Sequence, residues 1–192
     1  GKDIRIAIDE YNNWYGPHLY GELGTRYYLQ DALGIAAALH EMARNSDMVF
    51  MANYAQTVNV IGCIKTTKTR AAFDTTGLVL KLYRRQFGTI PVEVTGQAKP
   101  LDVLAAWTKN RKALTISIVN PTKKAYDLAL DLKGVAIEGT GQRFQIAGSE
   151  PMAYNQPGKK PNMVIEKKQL SGIKNKLTVA PLSISLFRLP VR

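Results

Sequence analysis

The spacing of apolar residues changes character near Gly88. In Ile4 to Asp9, isoleucines at 4, 6 and 8 alternate with Arg5, Ala7 and Asp9. That period of two predicts a short strand, with Glu10 where the chain leaves it. A loop rich in Gly, Pro and Tyr follows, over residues 15–24. Residues 26–46 then carry Leu29, Ala32, Leu33, Ala36, Ala37, Leu39 and Met42 at helical spacing, and Asn45-Ser46-Asp47 supplies the stop. The short apolar run Met48 to Ala52 predicts a buried parallel strand leading into Asn53-Tyr54-Ala55-Gln56, a polar strand end like the first. Strand, helix and strand in that order make a βαβ unit with a right-handed crossover. A second helix is predicted over residues 72–87, with Leu78, Leu80, Leu82 and Tyr83 apolar and Gly88 as its C-terminal cap.

From Thr89 the helical period disappears. Strand-like runs are read at residues 92–94, 101–108, 113–120, 125–132, 143–147, 163–166, 176–179 and 183–189, separated by turns rich in Pro, Gly and Lys. Their spacing predicts an antiparallel sandwich. The clearest alternation, Ala113 to Asn120, reads as a half-buried strand. The fold class expected is therefore α/β plus all-β, with an α/β part over residues 1–88 and a β-sandwich over 89–192. No internal repeat or low-complexity segment is visible.

Composition narrows the possibilities. A 45% hydrophobic content excludes a disordered tail and lets 192 residues bury a core. No run is long enough to cross a bilayer and no signal-peptide core opens the chain, so no membrane partner is expected. Cys63, the single cysteine, lies in the apolar stretch 58–64 and reads as a buried structural thiol. The net charge of +11 is uneven, with 10 Lys+Arg against 8 Asp+Glu up to Gly88 and 16 against 7 beyond it. The lysines at 123–124, 159–160, 167–168, 174 and 176 sit in separate polar segments, several of them turn-like. They read as solvated loop charges rather than a nucleic-acid surface.

The candidate chemistry lies in Asp9-Glu10-Tyr11-Asn12-Asn13-Trp14-Tyr15, a carboxylate pair at a strand exit followed by amides and aromatic rings. Sugar-hydrolysing sites are often furnished this way, and in α/β barrels the chemistry collects at the C-terminal ends of the parallel strands. Two well-separated histidines and one cysteine have no metal-ligand spacing, and glycine-rich phosphate signatures are absent, so no metal or cofactor is expected. His18 reads as a surface loop residue near the site and His40 as a packing or surface residue.

The block at residues 9–15, the second block Ala55-Gln56-Thr57-Val58-Asn59-Val60-Ile61, and the ending Leu177-Thr-Val-Ala-Pro-Leu-Ser-Ile-Ser-Leu-Phe-Arg-Leu189 together resemble the C-terminal part of family 51 α-L-arabinofuranosidases. The likeness runs over the whole chain. Where the family usually has Asp-Glu-Trp, this chain has Asp9-Glu10-Tyr11.

The resemblance implies the last two β/α units of a TIM (β/α)8 barrel followed by a jelly-roll-like antiparallel β-sandwich. It implies a retaining glycosidase that releases terminal non-reducing α-L-arabinofuranosyl residues from arabinose-containing saccharides. The first strand matches the barrel's seventh and the run ending at Gln56 its eighth. Glu10 matches the catalytic nucleophile, Gln56 a sugar-contacting glutamine, and Trp14 an aromatic lining the substrate pocket. Asp9, Asn12 and Asn13 are expected to shape the loop rather than touch the sugar, since alternation turns Asp9 away from Glu10.

The family's general acid/base, a Glu preceded by Asn, is missing, because the chain contains no Asn-Glu pair. The expectation is thus a C-terminal fragment, incomplete without the rest of the barrel, with an N-terminal fragment of the same enzyme as its partner and a homo-oligomer possible by analogy. Two other readings stay open: β-xylosidase or endo-glucanase activity within the same family, and a non-catalytic carbohydrate-binding or structural β-sandwich.

Overall fold

A computed structural model describes residues 3–16, 19–96 and 98–192. The chain runs β1 (Ile6–Tyr11), a 3-10 turn (Gly21–Leu23), α1 (Leu29–Arg44), β2 (Val49–Tyr54), β3 (Ile64–Thr66), β4 (Ala71–Phe73) and α2 (Thr75–Gln86). The strands β5 (Ile90–Val92), β6 (Asp102–Trp107), β7 (Ala113–Asn120), β8 (Tyr126–Ala129), β9 (Thr140–Ala147), β10 (Glu166–Ser171), β11 (Lys176–Val179) and β12 (Ser183–Pro190) follow. The residues are mostly in β-sheets, with two α-helices among those described. Neither helix is long and apolar enough to cross a membrane.

β1 and β2 pair in parallel across α1, giving the βαβ unit that the periodicity predicts. α1 begins where the carboxylate of Asp31 accepts the backbone N–H of Tyr28 at 2.7 Å, which satisfies one of the free donors of the first turn. Its stripe buries Leu29, Ala32, Leu33, Ile35 and Ala36, and Asn45 closes it by donating to the Glu41 carbonyl at 2.9 Å. α2 starts at Thr75, three residues later than the spacing predicts, and is capped by Asp74, whose carboxylate accepts from Thr75 N at 2.9 Å. The preceding residues form the hairpin β3–β4, which the sequence reading missed.

Gly88 does not cap α2. Phe87 occupies that position in an extended conformation. What requires glycine at 88 is close approach: an added Cβ would lie 2.4 Å from the Trp107 carbonyl oxygen. Gly88 N instead donates to Thr115 Oγ1 at 2.9 Å and locks the start of the β region onto β7.

The six-stranded antiparallel sheet has the order β10-β9-β12-β7-β6-β5, and β11 pairs with β8 in a separate two-stranded sheet. One core cluster joins Leu29, Leu33, Leu78 and Leu82 of the helices to Val119, Phe144, Ile146, Ile184 and Leu186 of the large sheet. A second lies on the opposite face, where Leu114, Ile116, Ile118, Phe187 and Leu189 meet Leu177 and Val179 of β11. The first cluster draws residues from both sides of Gly88.

The expectation of a half-buried strand at 113–120 is corrected by this layering. All eight residues of β7 are buried, because helices cover one face and the β8–β11 pair the other. Alternation here sorts residues between two buried faces rather than between core and water. The run 163–166 is likewise not a strand up to residue 166. Met163 is 2% exposed and irregular, held by Asn155, which accepts Met163 N at 2.9 Å and donates to its carbonyl at 2.9 Å.

His40 is fully buried in α1 and bridges the layers. Its Nε2 lies 2.6 Å from the Tyr83 hydroxyl, which lies 2.6 Å from Ser117 Oγ on β7. Its Nδ1 is 3.2 Å from Asp102 Oδ2 on β6, and Arg44 bonds the same carboxylate. Burial pushes the His40 pKa down despite Asp102, which pulls it up.

Candidate active site

The backbone register brings the sequence-predicted residues to one end of the parallel pair. Tyr11 is opposite Tyr54 at the C-terminal ends of β1 and β2. Glu10 therefore sits one residue before that pair and Gln56 two residues after it. Both side chains are exposed, as is Trp14, which is 67% exposed three residues beyond β1. His18 lies outside the described residues.

A register shift falls between Ile8, opposite Ala52, and Tyr11, opposite Tyr54, so β1 spends one more residue than β2 over this step. Bulges of this kind re-aim side chains and are common beside active sites. The alternation that would turn Asp9 away from Glu10 does not carry across it, and both carboxylates are exposed.

Behind these residues the two strand-end loops are tied together. Asn12 Nδ2 lies 2.6 Å from the Ala55 carbonyl, 2.7 Å from the Ile61 carbonyl and 2.8 Å from the Tyr27 hydroxyl. Asn12 Oδ1 accepts Asn13 N at 2.7 Å. The Tyr27 hydroxyl is within donating distance of the Asn13 carbonyl at 2.8 Å and the Ile61 carbonyl at 3.1 Å. Burial pushes the Tyr27 phenol up to about 12, so it stays protonated and able to donate at neutral pH. Tyr11 and Tyr54 add an edge-on ring contact with centroids 5.6 Å apart.

A buried lysine and aspartate support the loop after β2. Lys65 Nζ donates to the Val60 carbonyl at 3.2 Å and lies 4.0 Å from Asp74 Oδ2, both side chains being almost fully buried. Val60 O also accepts Thr25 N at 2.6 Å. These two donors hold Val60 at φ +46°, a conformation rare for a β-branched residue. Gly24 makes the approach possible, since at φ +73° an added Cβ would fall 2.1 Å from Val60 O. Burial lifts the Asp74 carboxyl to about 7, against the pull of Thr75 N–H, Tyr27 N–H and Lys65. It also pushes Lys65 down. Cys63 is 8% exposed, buried as expected, and burial pushes its thiol pKa up.

Sequence reasoning missed Tyr27, Lys65 and Asp74. Nothing in their local pattern marks them, since a tyrosine pair before a helix and a lysine in a three-residue strand are ordinary. Among the described residues no group of three His, Cys, Asp or Glu is placed to hold a metal ion.

The chain is similar to known proteins over most of its length. The family described as "Alpha-L-arabinofuranosidase C-terminal domain" matches residues 9–183. A probable α-L-arabinofuranosidase C of Aspergillus flavus is 28% identical over 181 residues, covering 84% of this chain and 35% of that protein. An intracellular exo-α-(1→5)-L-arabinofuranosidase 1 of Bacillus subtilis is 25% identical over 220 residues, covering 98% of this chain and 43% of that protein. The crystal structure of α-L-arabinofuranosidase from Thermotoga maritima in an arabinose complex superposes with a TM-score of 0.82 at 21% identity, over 97% of this chain and 43% of that one. The chain thus spans about a third to two fifths of the length of these relatives. With the block at residues 9–15, β2 and the strands β3 to β11 inside the matched span, the chain belongs to the family of the α-L-arabinofuranosidase C-terminal domain.

Proposed function

We propose that this chain supplies the nucleophile side of a retaining α-L-arabinofuranosidase active site. In this reading β1 and β2 are the seventh and eighth strands of a (β/α)8 barrel, and residues from about 89 onward form a jelly-roll-like sandwich. The observation that carries it is the placement of Glu10 and Gln56 at the C-terminal ends of adjacent parallel strands, the end at which barrel enzymes assemble their chemistry.

Glu10 acts as an ionised carboxylate. It attacks the anomeric carbon as the glycosidic oxygen leaves, and the bond it forms is then cut by water. The leaving oxygen takes its proton from a second carboxyl group about 5 Å away, which then deprotonates the incoming water. That glutamate comes from N-terminal sequence of the same enzyme, which also supplies the remaining strands. Gln56 uses its amide to donate to and accept from sugar hydroxyls, and Trp14 presents a ring to the apolar face of the furanose.

The apolar side chains exposed along the pair support the missing cover. Ile4, Ile6, Phe50 and Met51 are between 37% and 81% exposed, an unusual density for parallel strands. Terminal α-L-arabinofuranosyl groups on arabinose-containing saccharides are the substrate that the family membership supports.

The test is turnover of an aryl α-L-arabinofuranoside by the enzyme carrying the complete barrel. Glu10→Gln is expected to lower kcat by more than about 10⁴-fold, as loss of a covalent nucleophile does. Turnover that survives this change would remove the assignment. A higher kcat/KM for an aryl β-xyloside than for the arabinofuranoside would keep the mechanism and change the sugar.

A further inference from the structure

The hydrogen bonds around Asn12 have a consequence for catalysis, and it rests on the reading of Glu10 and Gln56 just given. Backbone pairing between β1 and β2 ends at Tyr11 and Tyr54, with Ala55 N donating to the Tyr11 carbonyl at 3.2 Å. Past that point the two chains separate into different loops, and nothing in a parallel ladder holds loop ends in register. Asn12 continues the ladder with its side chain. Its amide nitrogen reaches the carbonyl of Ala55, the residue just before Gln56, at 2.6 Å, and that of Ile61 in the same loop at 2.7 Å. The fully buried Tyr27 closes the arrangement, lying within hydrogen-bond reach of Asn12, the Asn13 carbonyl and the Ile61 carbonyl.

We infer that Asn12 and Tyr27 are positioning residues which fix Gln56 relative to Glu10. Asn12 is two residues past the nucleophile and bonds the residue that precedes the sugar ligand, so one short side chain spans the gap between them. The amide's two hydrogens face three acceptors, and the Tyr27 hydroxyl can accept one while passing its own proton to a carbonyl. Lys65 and Thr25 hold the far side of the same loop through Val60 O. The loop carrying Gln56 is therefore fastened at Ala55, Val60 and Ile61 while Gln56 itself stays exposed. Neither Asn12 nor Tyr27 has to touch the sugar for this to matter, because a displacement of about 1 Å in a positioned group can cost 10²-fold in rate.

A coupling experiment in the complete-barrel enzyme tests the inference, with kcat and KM measured on an aryl α-L-arabinofuranoside. Asn12→Ala should lower kcat by about 10- to 100-fold with KM changed by less than about 3-fold. In a Gln56→Ala background the same change should cost only about 2-fold, since the group it positions is gone. Equal losses in both backgrounds would overturn the inference, as would an unchanged kcat. Should Asn12→Ala fail to fold, the same cycle with Tyr27→Phe, which removes one hydroxyl, decides it and is expected to show a smaller loss with the same coupling. Glu10→Gln separates this outcome from the broader reading. An inactive Glu10→Gln enzyme with additive Asn12 and Gln56 effects sinks the positioning role alone, whereas an active one sinks the catalytic assignment.

Discussion

The parallel pair β1–β2 and the central strands β7 and β12 of the six-stranded sheet are all rich in apolar residues, yet they end in opposite states. Ile184 in β12 is 0% exposed, whereas Phe50 in β2 is 61% exposed and Ile6 in β1 is 46% exposed. The sheet is covered by α1 and α2 on one face and by β8 and β11 on the other, all from this chain. The pair is backed by α1 but leaves a row of apolar side chains in the open. Strand character follows from local sequence, while burial depends on which neighbours are present. The proposed barrel accounts for the contrast, because barrel strands are covered on both faces only once the ring closes.

Substitutions should grade along this contrast. Ile184→Ala removes a side chain wedged between helices and sheet, and should destabilise the fold by about 2–5 kcal/mol in urea denaturation. A cost under about 1 kcal/mol would mean that the central layer is looser than its burial indicates. Gly88→Ala forces a methyl group against the Trp107 carbonyl where the two regions join, and is expected to cost about 1–3 kcal/mol. A neutral result would show that the junction yields without consequence.

Phe50→Ala gives the sharpest comparison. In this chain by itself the change should stay within about 0.5 kcal/mol, as for exposed positions generally. In the complete enzyme it should cost several-fold more, and an equally small effect there would argue against the covered barrel face.

Acid and base should separate the two regions further. His40 sits between helix α1 and the sheet with its folded pKa depressed by burial, so the unfolded chain binds the extra proton. Stability from this group is present above the unfolded value near 6.5 and is lost as pH falls through the lower folded value. Asp74, under the loop that carries Gln56, works in the opposite direction. Its folded pKa of about 7 lies above the unfolded value near 3.9, so its contribution is full below about 4 and is lost as pH rises through 7. Urea midpoints measured from pH 4 to 8 should flatten on the acid side in His40→Gln and toward neutral pH in Asp74→Asn. Identical pH profiles for the wild type and either variant would remove that group's contribution.

Much of the architecture could be read from residue order. The alternation of Ala113 to Asn120 marks β7 to the residue, and the stripe from Leu29 marks α1 within three residues at its start and two at its end. The resemblance carried by residues 9–15 and 55–61 pointed to the family, and the family comparison bears it out. Other features were hidden. The β3–β4 hairpin has three-residue strands, too short for a period to register. The bulge after Ile8 changes one count of residues and leaves no mark in composition. Tyr27 is distant in sequence from Asn12 and Ile61, and no local rule joins them.

By itself the sequence determined where the chain is extended, where it is helical, and which side chains share a face, because 2.0 and 3.6 residues per repeat are backbone geometry that any stretch of chain obeys. Tertiary structure alone decided that both faces of β7 are buried, that His40 and Lys65 lie inside, and that Asn12 reaches the loop of Gln56. Those outcomes depend on what packs against each face, and the partners come from segments tens of residues away whose approach no local pattern encodes.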